Sequence, residues 1–295
     1  MLPTKNPKFQ AYYAPATATN QVWRLGIVLL GILYLMFTLG LFAALDQFGG
    51  SFGVFELFVD DPKAIVLLLF SFFGMLFAVW ITVRLVHKRG LKSLIGPDIK
   101  IVSRNALYAF GVICVIGGMG VLVAFFIDPP TRQMDISVWA SWMVLVLPLL
   151  FVQILSEELI FRGYLQQQLA ARFNSRWIWY VLPSLAFGAL HYDAETMGPN
   201  AWLVVAHTSF FGLIAADVTA RTGNLGAAIG MHFANNIFAL TIVALNGSLS
   251  GVGLYLTSVH VSDFDQIRSL LIFDFCVIVV LYGGFLYWAR NKAEL

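Results

Sequence analysis

Charged side chains are scarce in this chain: 18 Lys and Arg with 16 Asp and Glu make up only 12% of 295 residues, against roughly a quarter in soluble globular domains. With 59% hydrophobic residues, that shortage excludes an ordinary soluble domain. The formal net charge of +2 is too small to make nucleic acid a partner. Cysteine is nearly absent. Cys114 and Cys276 lie inside apolar runs without metal-ligand spacing, so they say nothing of a disulfide framework and are expected to be small core residues. The first 22 residues hold Pro3, Pro7 and Pro15 and lack the basic-then-apolar layout of a cleaved secretory signal, so the first apolar run is expected to stay as a membrane helix. No internal repeat, low-complexity tract or loop long enough for a soluble domain stands out.

What is abundant is apolar and aromatic. The 26 Phe, 10 Tyr and 8 Trp suit lipid-facing surfaces and interfacial belts, and the 25 Gly suit close helix contacts. A bilayer core of about 30 Å needs roughly 20 helical residues. Dividing the chain at charged, Pro-rich and Gly-rich breaks gives eight segments: Trp23 to Leu45, Ala64 to Val86, Ala106 to Ile127, Val138 to Ala170, Trp177 to Tyr192, Trp202 to Arg221, Leu225 to Leu245, and Leu270 to Trp288. The expected fold is therefore all-α, a polytopic bundle of about eight transmembrane helices around a buried polar cavity. Its parts are a cytoplasmic N-terminal segment (1–22), a three-helix portion (23–130) and helices four to eight (131–295).

Basic residues are retained on the cytoplasmic side of a membrane, and the loops alternate accordingly. Arg84, Lys88, Arg89, Lys92, Lys100 and Arg104 fall in one loop, whereas Asp46, Glu56, Asp60 and Asp61 precede it. Eight spans then leave both termini cytoplasmic. The fourth segment is too long for one perpendicular span, and Pro148 is the expected break.

Ionised groups are expensive within lipid and mark functional sites by default. Glu157 and Glu158 stand in the fourth segment, Glu158 and Arg162 sharing a helix face in the favourable acid-before-base order. Glu157 projects about 100° away and has no local partner, which makes it the candidate base. The bland alternative is that both glutamates solvate a helix end. His191 closes the fifth segment, where an interfacial histidine is the alternative. His232 and Asn236 share one face of the seventh segment, where interhelical packing is the alternative. His207 is expected to pack or line the cavity, and His87 and His260 to be solvated in loops. Counting the helix rise puts His191 and Glu157 roughly 20 Å, but His232 roughly 10 Å, from the basic ends of their segments. Convergence therefore requires tilted helices or helices that begin outside the lipid.

Glu157-Glu158-x-x-x-Arg162, Phe187-x-x-x-His191 and His232-x-x-x-Asn236, in that order and in separate apolar segments, resemble the CPBP family of intramembrane proteases. That family includes the type II CAAX prenyl endopeptidases and the bacteriocin-processing or abortive-infection proteins. The resemblance covers about residues 152–241. It implies an endopeptidase acting on a membrane-associated or lipidated peptide. Glu157 and His191 would activate water, His232 and Asn236 would stabilise the oxyanion or hold the water, Glu158 and Arg162 would brace the site, and Phe187 would wall it. The family's metalloprotease label offers zinc on Glu157, His191 and His232; a metal-free reading uses the same residues. Two readings compete with hydrolysis: a non-proteolytic membrane immunity or scaffold protein that keeps the pocket for binding, and a transporter with Glu157 and His191 as a proton relay. Nothing in these residues requires a prenylated substrate or sets an oligomeric state.

Overall fold

The computed structural model describes residues 6–25, 31, 33–38 and 61–293. Most of the first expected span, and most of the acidic loop after it, lie outside those residues. Short helix α1 (Pro7–Tyr13) comes first. The long apolar helices are α2 (Pro62–Val86), α3 (Ile99–Ile127), α4 (Ile136–Glu158), α7 (Ala201–Thr222) and α9 (Phe264–Ala293). Helix α4 runs on through a π-helical segment, Leu159–Leu165, into α5 (Gln166–Arg172). Between them lie α6 (Leu182–Ala189), entered through π-helical Trp177–Val181, and α8 (Gly226–Ile237), which ends in π-helical Phe238–Ile242. Among the described residues, five helices are long and apolar enough to cross a membrane, and Trp177–Ala189 is a shorter apolar helix. The chain is an all-α polytopic membrane bundle.

Local chemistry sets several boundaries. Asp61 and Asp98 cap α2 and α3, each accepting from a backbone N–H two residues on at 2.8 Å, which satisfies donors left free at a helix start. Helix α7 stops at Gly223, whose φ of +69° is the left-handed conformation glycine adopts without strain. Helix α3 lies against α8 so closely that a Cβ on Gly230 would run into the Ala106 carbonyl. Small residues permit such contact where lipid supplies no hydrophobic drive between helices.

Three expectations are corrected. The break expected at Pro148 is absent: the helix continues through it, and the irregularity falls just after Glu158, where the extra residue of a π-turn is inserted. Cys114 is only half-buried and Cys276 exposed, because α3 and α9 turn broad apolar faces outward. The seventh expected span, Leu225 to Leu245, leaves the helix after Ile242, and the chain enters a small sheet shared with the loop before α9 and the loop between α3 and α4. Strands β1 (Thr131–Arg132), β2 (Val243–Asn246) and β3 (Tyr255–His260) form a sheet in the order β1-β3-β2, antiparallel then parallel.

The polar N-terminal segment is folded onto the bundle. Phe9, Tyr12 and Ala16 are fully buried, with Phe9 5.0 Å from Trp179 between ring centres. The Tyr12 hydroxyl donates to the Leu94 carbonyl at 2.7 Å and lies 3.1 Å from the Arg162 carbonyl. His87, expected to be solvated, is only 3% exposed. Its Nδ1 lies 2.9 Å from Thr19 Oγ1 and its Nε2 2.8 Å from the Tyr164 hydroxyl. Burial, with the Arg89 charge beside it, holds its pKa down to about 4 from the ordinary 6.5.

This cap accounts for the mismatch in depth. A Cβ on Gly163 would touch both Leu94 and Leu225, so Gly163 is level with the start of α8. Counting from there, Glu157 and His232 are six and seven residues in, roughly 10 Å each. The rest of the long helix, Tyr164 onward, extends past that level. Its buried Gln166, Gln167 and Gln168 bond to protein groups rather than facing lipid: Gln166 donates to the Ala216 carbonyl and Gln167 to the Ser93 carbonyl, each at 2.9 Å.

Candidate active site

The last two turns of α4 deliver Gln153, Glu157 and Glu158, and the π-segment after it delivers Arg162. Glu158 is fully buried and Arg162 is 1% exposed. Arg162 Nη1 donates to Glu158 Oε1 at 2.9 Å, and the same oxygen accepts from His232 Nδ1 at 2.8 Å. Glu158 thus ties α4 to α8, neutralises a guanidinium and fixes the imidazole. A ring whose Nδ1 is engaged by a carboxylate presents its other nitrogen to the site.

That other nitrogen, His232 Nε2, faces Glu157 Oε2 at 3.7 Å. The separation is too long for a direct hydrogen bond and suits a bridging group. Glu157 Oε2 is buried and has no hydrogen-bond partner among the described residues. Glu157 Oε1 accepts from Gln153 Nε2 at 2.6 Å. Glu157 therefore does have a local partner, one turn back on its own helix. Gln153 Oε1 in turn accepts from Asn236 Nδ2 at 3.4 Å, so one amide links the carboxylate of α4 to the carboxamide of α8. Gln153 went unremarked in the sequence, yet it stood four residues before Glu157 in an otherwise apolar run, the spacing of a helix-face pair.

Phe187, 2% exposed, is the wall between the two histidines. Its ring centre lies 4.9 Å from that of His191 and 5.9 Å from that of His232, and the Arg162 guanidinium carbon sits 4.4 Å above it. The ring face takes the cation, as an aromatic quadrupole favours, while His232 stands nearly perpendicular to it, at 89°, and His191 tilted, at 58°. Phe211 closes the other side of His232 at 5.1 Å. Gly188 is required here: a Cβ would collide with Ser209 and the Val205 carbonyl on α7.

Glu157, Glu158, Arg162, His232 and Asn236 are thus gathered around Gln153, with Phe187 beside them. His191 stands apart, in the turn after α6. Its Nδ1 lies 2.9 Å from the Phe187 carbonyl, and among the described residues it makes no hydrogen bond to Glu157 or His232. Asn235 is exposed and donates its Nδ2 to Asn236 Oδ1 at 3.2 Å. His207 pairs with Asp274 at 2.6 Å, joining α7 to α9 outside this cluster. His260 is exposed, as expected.

The donor set was tested for zinc. Three protein ligands and an open position would be needed, but among the described residues no group of three His, Cys, Asp or Glu could hold a metal ion. His232 keeps Nε2 free, its Nδ1 being held by Glu158 as in many metal sites, but His191 stands across the Phe187 ring from it. Glu157, His191 and His232 therefore do not fit a zinc ion in this arrangement.

Residues 139–238 match the family described as type II CAAX prenyl endopeptidase Rce1-like. The stretch contains every residue of the cluster. The chain is also 27% identical over 256 residues to uncharacterized protein YyaK of Bacillus subtilis (strain 168), a similarity spanning 82% of this chain and 84% of that one.

Proposed function

From this Rce1-like core, we propose that the protein is an intramembrane endopeptidase that hydrolyses a peptide bond of a membrane-associated or lipidated peptide. The observation that carries the reading is that Glu157 Oε2, buried and without a hydrogen-bond partner among the described residues, faces His232 Nε2 at 3.7 Å. A water oxygen held between them would give its proton to Glu157 and attack the peptide carbonyl, which becomes a tetrahedral oxyanion. Glu157 would then pass the proton to the leaving amine as the C–N bond breaks. Glu158 keeps His232 oriented. Asn236, positioned through Gln153, and His191 across the Phe187 ring supply donors toward the oxyanion, where fixed donors are worth most away from bulk water.

The test is mass spectrometry of the purified protein in proteoliposomes, offered acylated, prenylated and unanchored versions of one peptide library. Fragments from anchored peptides, absent with Glu157→Gln and unaffected by a chelator, support the reading. Retention of intact peptide by the wild type would mean binding without cleavage, and loss of cleavage on chelation would return the chemistry to a metal.

A further inference from the structure

A cavity of mixed lining, polar and apolar, lies away from the cluster, at the end of the bundle where α3 begins and α7 stops. Its volume is about 360 Å³, and three separate parts of the chain supply its cations: Lys8 from the N-terminal segment, Arg104 from α3 and Arg221 from α7. Asp98 is the one acid in the lining, and its side chain is engaged as the α3 cap. Arg221 is paired with Asp217 at 2.5 Å. Among the described residues, Lys8 and Arg104, both exposed, make no ion pair, and the three cations set against Asp98 and Asp217 leave the site with a formal net charge of +1.

The walls are held in place. Asn6 Nδ2 donates to the Ala220 and Arg221 carbonyls at 3.2 and 3.1 Å. A Cβ on Gly223 would strike the Lys8 carbonyl, and Asn105 donates to Asn224 at 3.3 Å. One side of the cavity is apolar and opens along the membrane: Ile101 lines it and is 41% exposed, and the same outward face of α3 carries Tyr108 at 74% and Val115 at 62%. Both α3 and α7 are long and apolar enough to cross a membrane; such a crossing would put the cations at headgroup level with an apolar face running below them.

We propose that this cavity binds a phosphate-bearing anion, with Lys8 and Arg104 as its principal contacts. The chemistry is shared by an anionic phospholipid headgroup and by free phosphate; the apolar run through Ile101 and Tyr108 matches an acyl chain. Because Lys8 belongs to the segment whose Tyr12 reaches the Arg162 carbonyl, an occupant also fastens that segment to the bundle. The site is independent of peptide hydrolysis.

Native mass spectrometry of the full chain measures it, with phosphatidylglycerol, phosphatidylcholine or inorganic phosphate added in separate arms. The expected result is one phosphatidylglycerol retained per chain in preference to phosphatidylcholine. With Lys8→Ala/Arg104→Ala, retention falls about thirtyfold, the usual worth of two basic residues at a membrane surface. Arg84→Ala/Lys92→Ala removes the same charge at exposed positions outside the cavity and leaves retention unchanged. Inorganic phosphate that displaces the lipid, and is itself lost in the cavity variant, identifies free phosphate as a source. Equal retention by the cavity variant and the wild type, or an equal loss in both double variants, overturns the proposal.

Discussion

Glu157 and Glu158 are adjacent in sequence, yet their replacement by glutamine should fail in opposite ways. Glu158 Oε1 takes bonds from Arg162 at 2.9 Å and His232 at 2.8 Å, with the ion pair 0% and 1% exposed. Glu158→Gln leaves the guanidinium without a counter-charge, and breaking one side of a buried pair costs about 3–5 kcal/mol. At roughly 2–4 °C per kcal/mol for a chain of this size, the melting temperature should fall by about 6–20 °C. Glu157→Gln keeps an oxygen to accept from Gln153, and its other oxygen has no bond among the described residues to lose. The expected cost is below about 1 kcal/mol, but the base is gone, which should lower turnover about 10²- to 10⁴-fold. Thermal unfolding in detergent, read by tryptophan fluorescence on the preparations used for cleavage, separates the two. A Glu158→Gln protein melting within about 2 °C of wild type, or a Glu157→Gln protein as destabilised as Glu158→Gln, would refute the division of labour.

Gln153→Leu preserves bulk but removes the amide between Glu157 and Asn236. It should cost about 1–3 kcal/mol in the transition state, a drop of about tenfold or more in kcat measured by steady-state cleavage, with KM little changed. Phe187→Leu loses the ring that faces Arg162 and meets both histidines, and should lower stability by about 1–3 kcal/mol in thermal melts. Below about pH 6.5 the unfolded chain protonates His87, whereas the folded chain refuses the proton until about pH 4. The stability from neutral His87 is therefore full above 6.5 and lost as pH falls through that window; melts from pH 7 to 4 should show the decline, and His87→Gln should flatten it.

Most of the membrane helices were legible because lipid demands long apolar runs, and α2 and α7 lie within two residues of where hydropathy put them. The cluster was legible because Glu158 with Arg162, and His232 with Asn236, share helix faces within otherwise apolar runs, although each had a bland alternative in helix-end solvation or packing, and His191 does not join them. Gln153 was missed because an uncharged amide raises no alarm, although its spacing from Glu157 was readable. The N-terminal segment reads as polar and Pro-rich, yet Phe9, Tyr12 and Ala16 recur at three and four residues, the period of a buried helical face continued by a turn. His87 sits among basic loop residues, and only the fold brings Tyr164 and Thr19 to it. The π-segments have no composition signal of their own. Three of them flank the cluster, consistent with the enrichment of such turns at functional sites.

The central claim is that Glu157 is the base for a water attacking a peptide bond within the membrane. The most direct measurement is the initial rate of hydrolysis of a membrane-anchored peptide in proteoliposomes, for wild type and for folded Glu157→Gln. Turnover by the wild type with at least about a hundredfold loss in the variant is predicted. Hydrolysis by Glu157→Gln at the wild-type rate would contradict it.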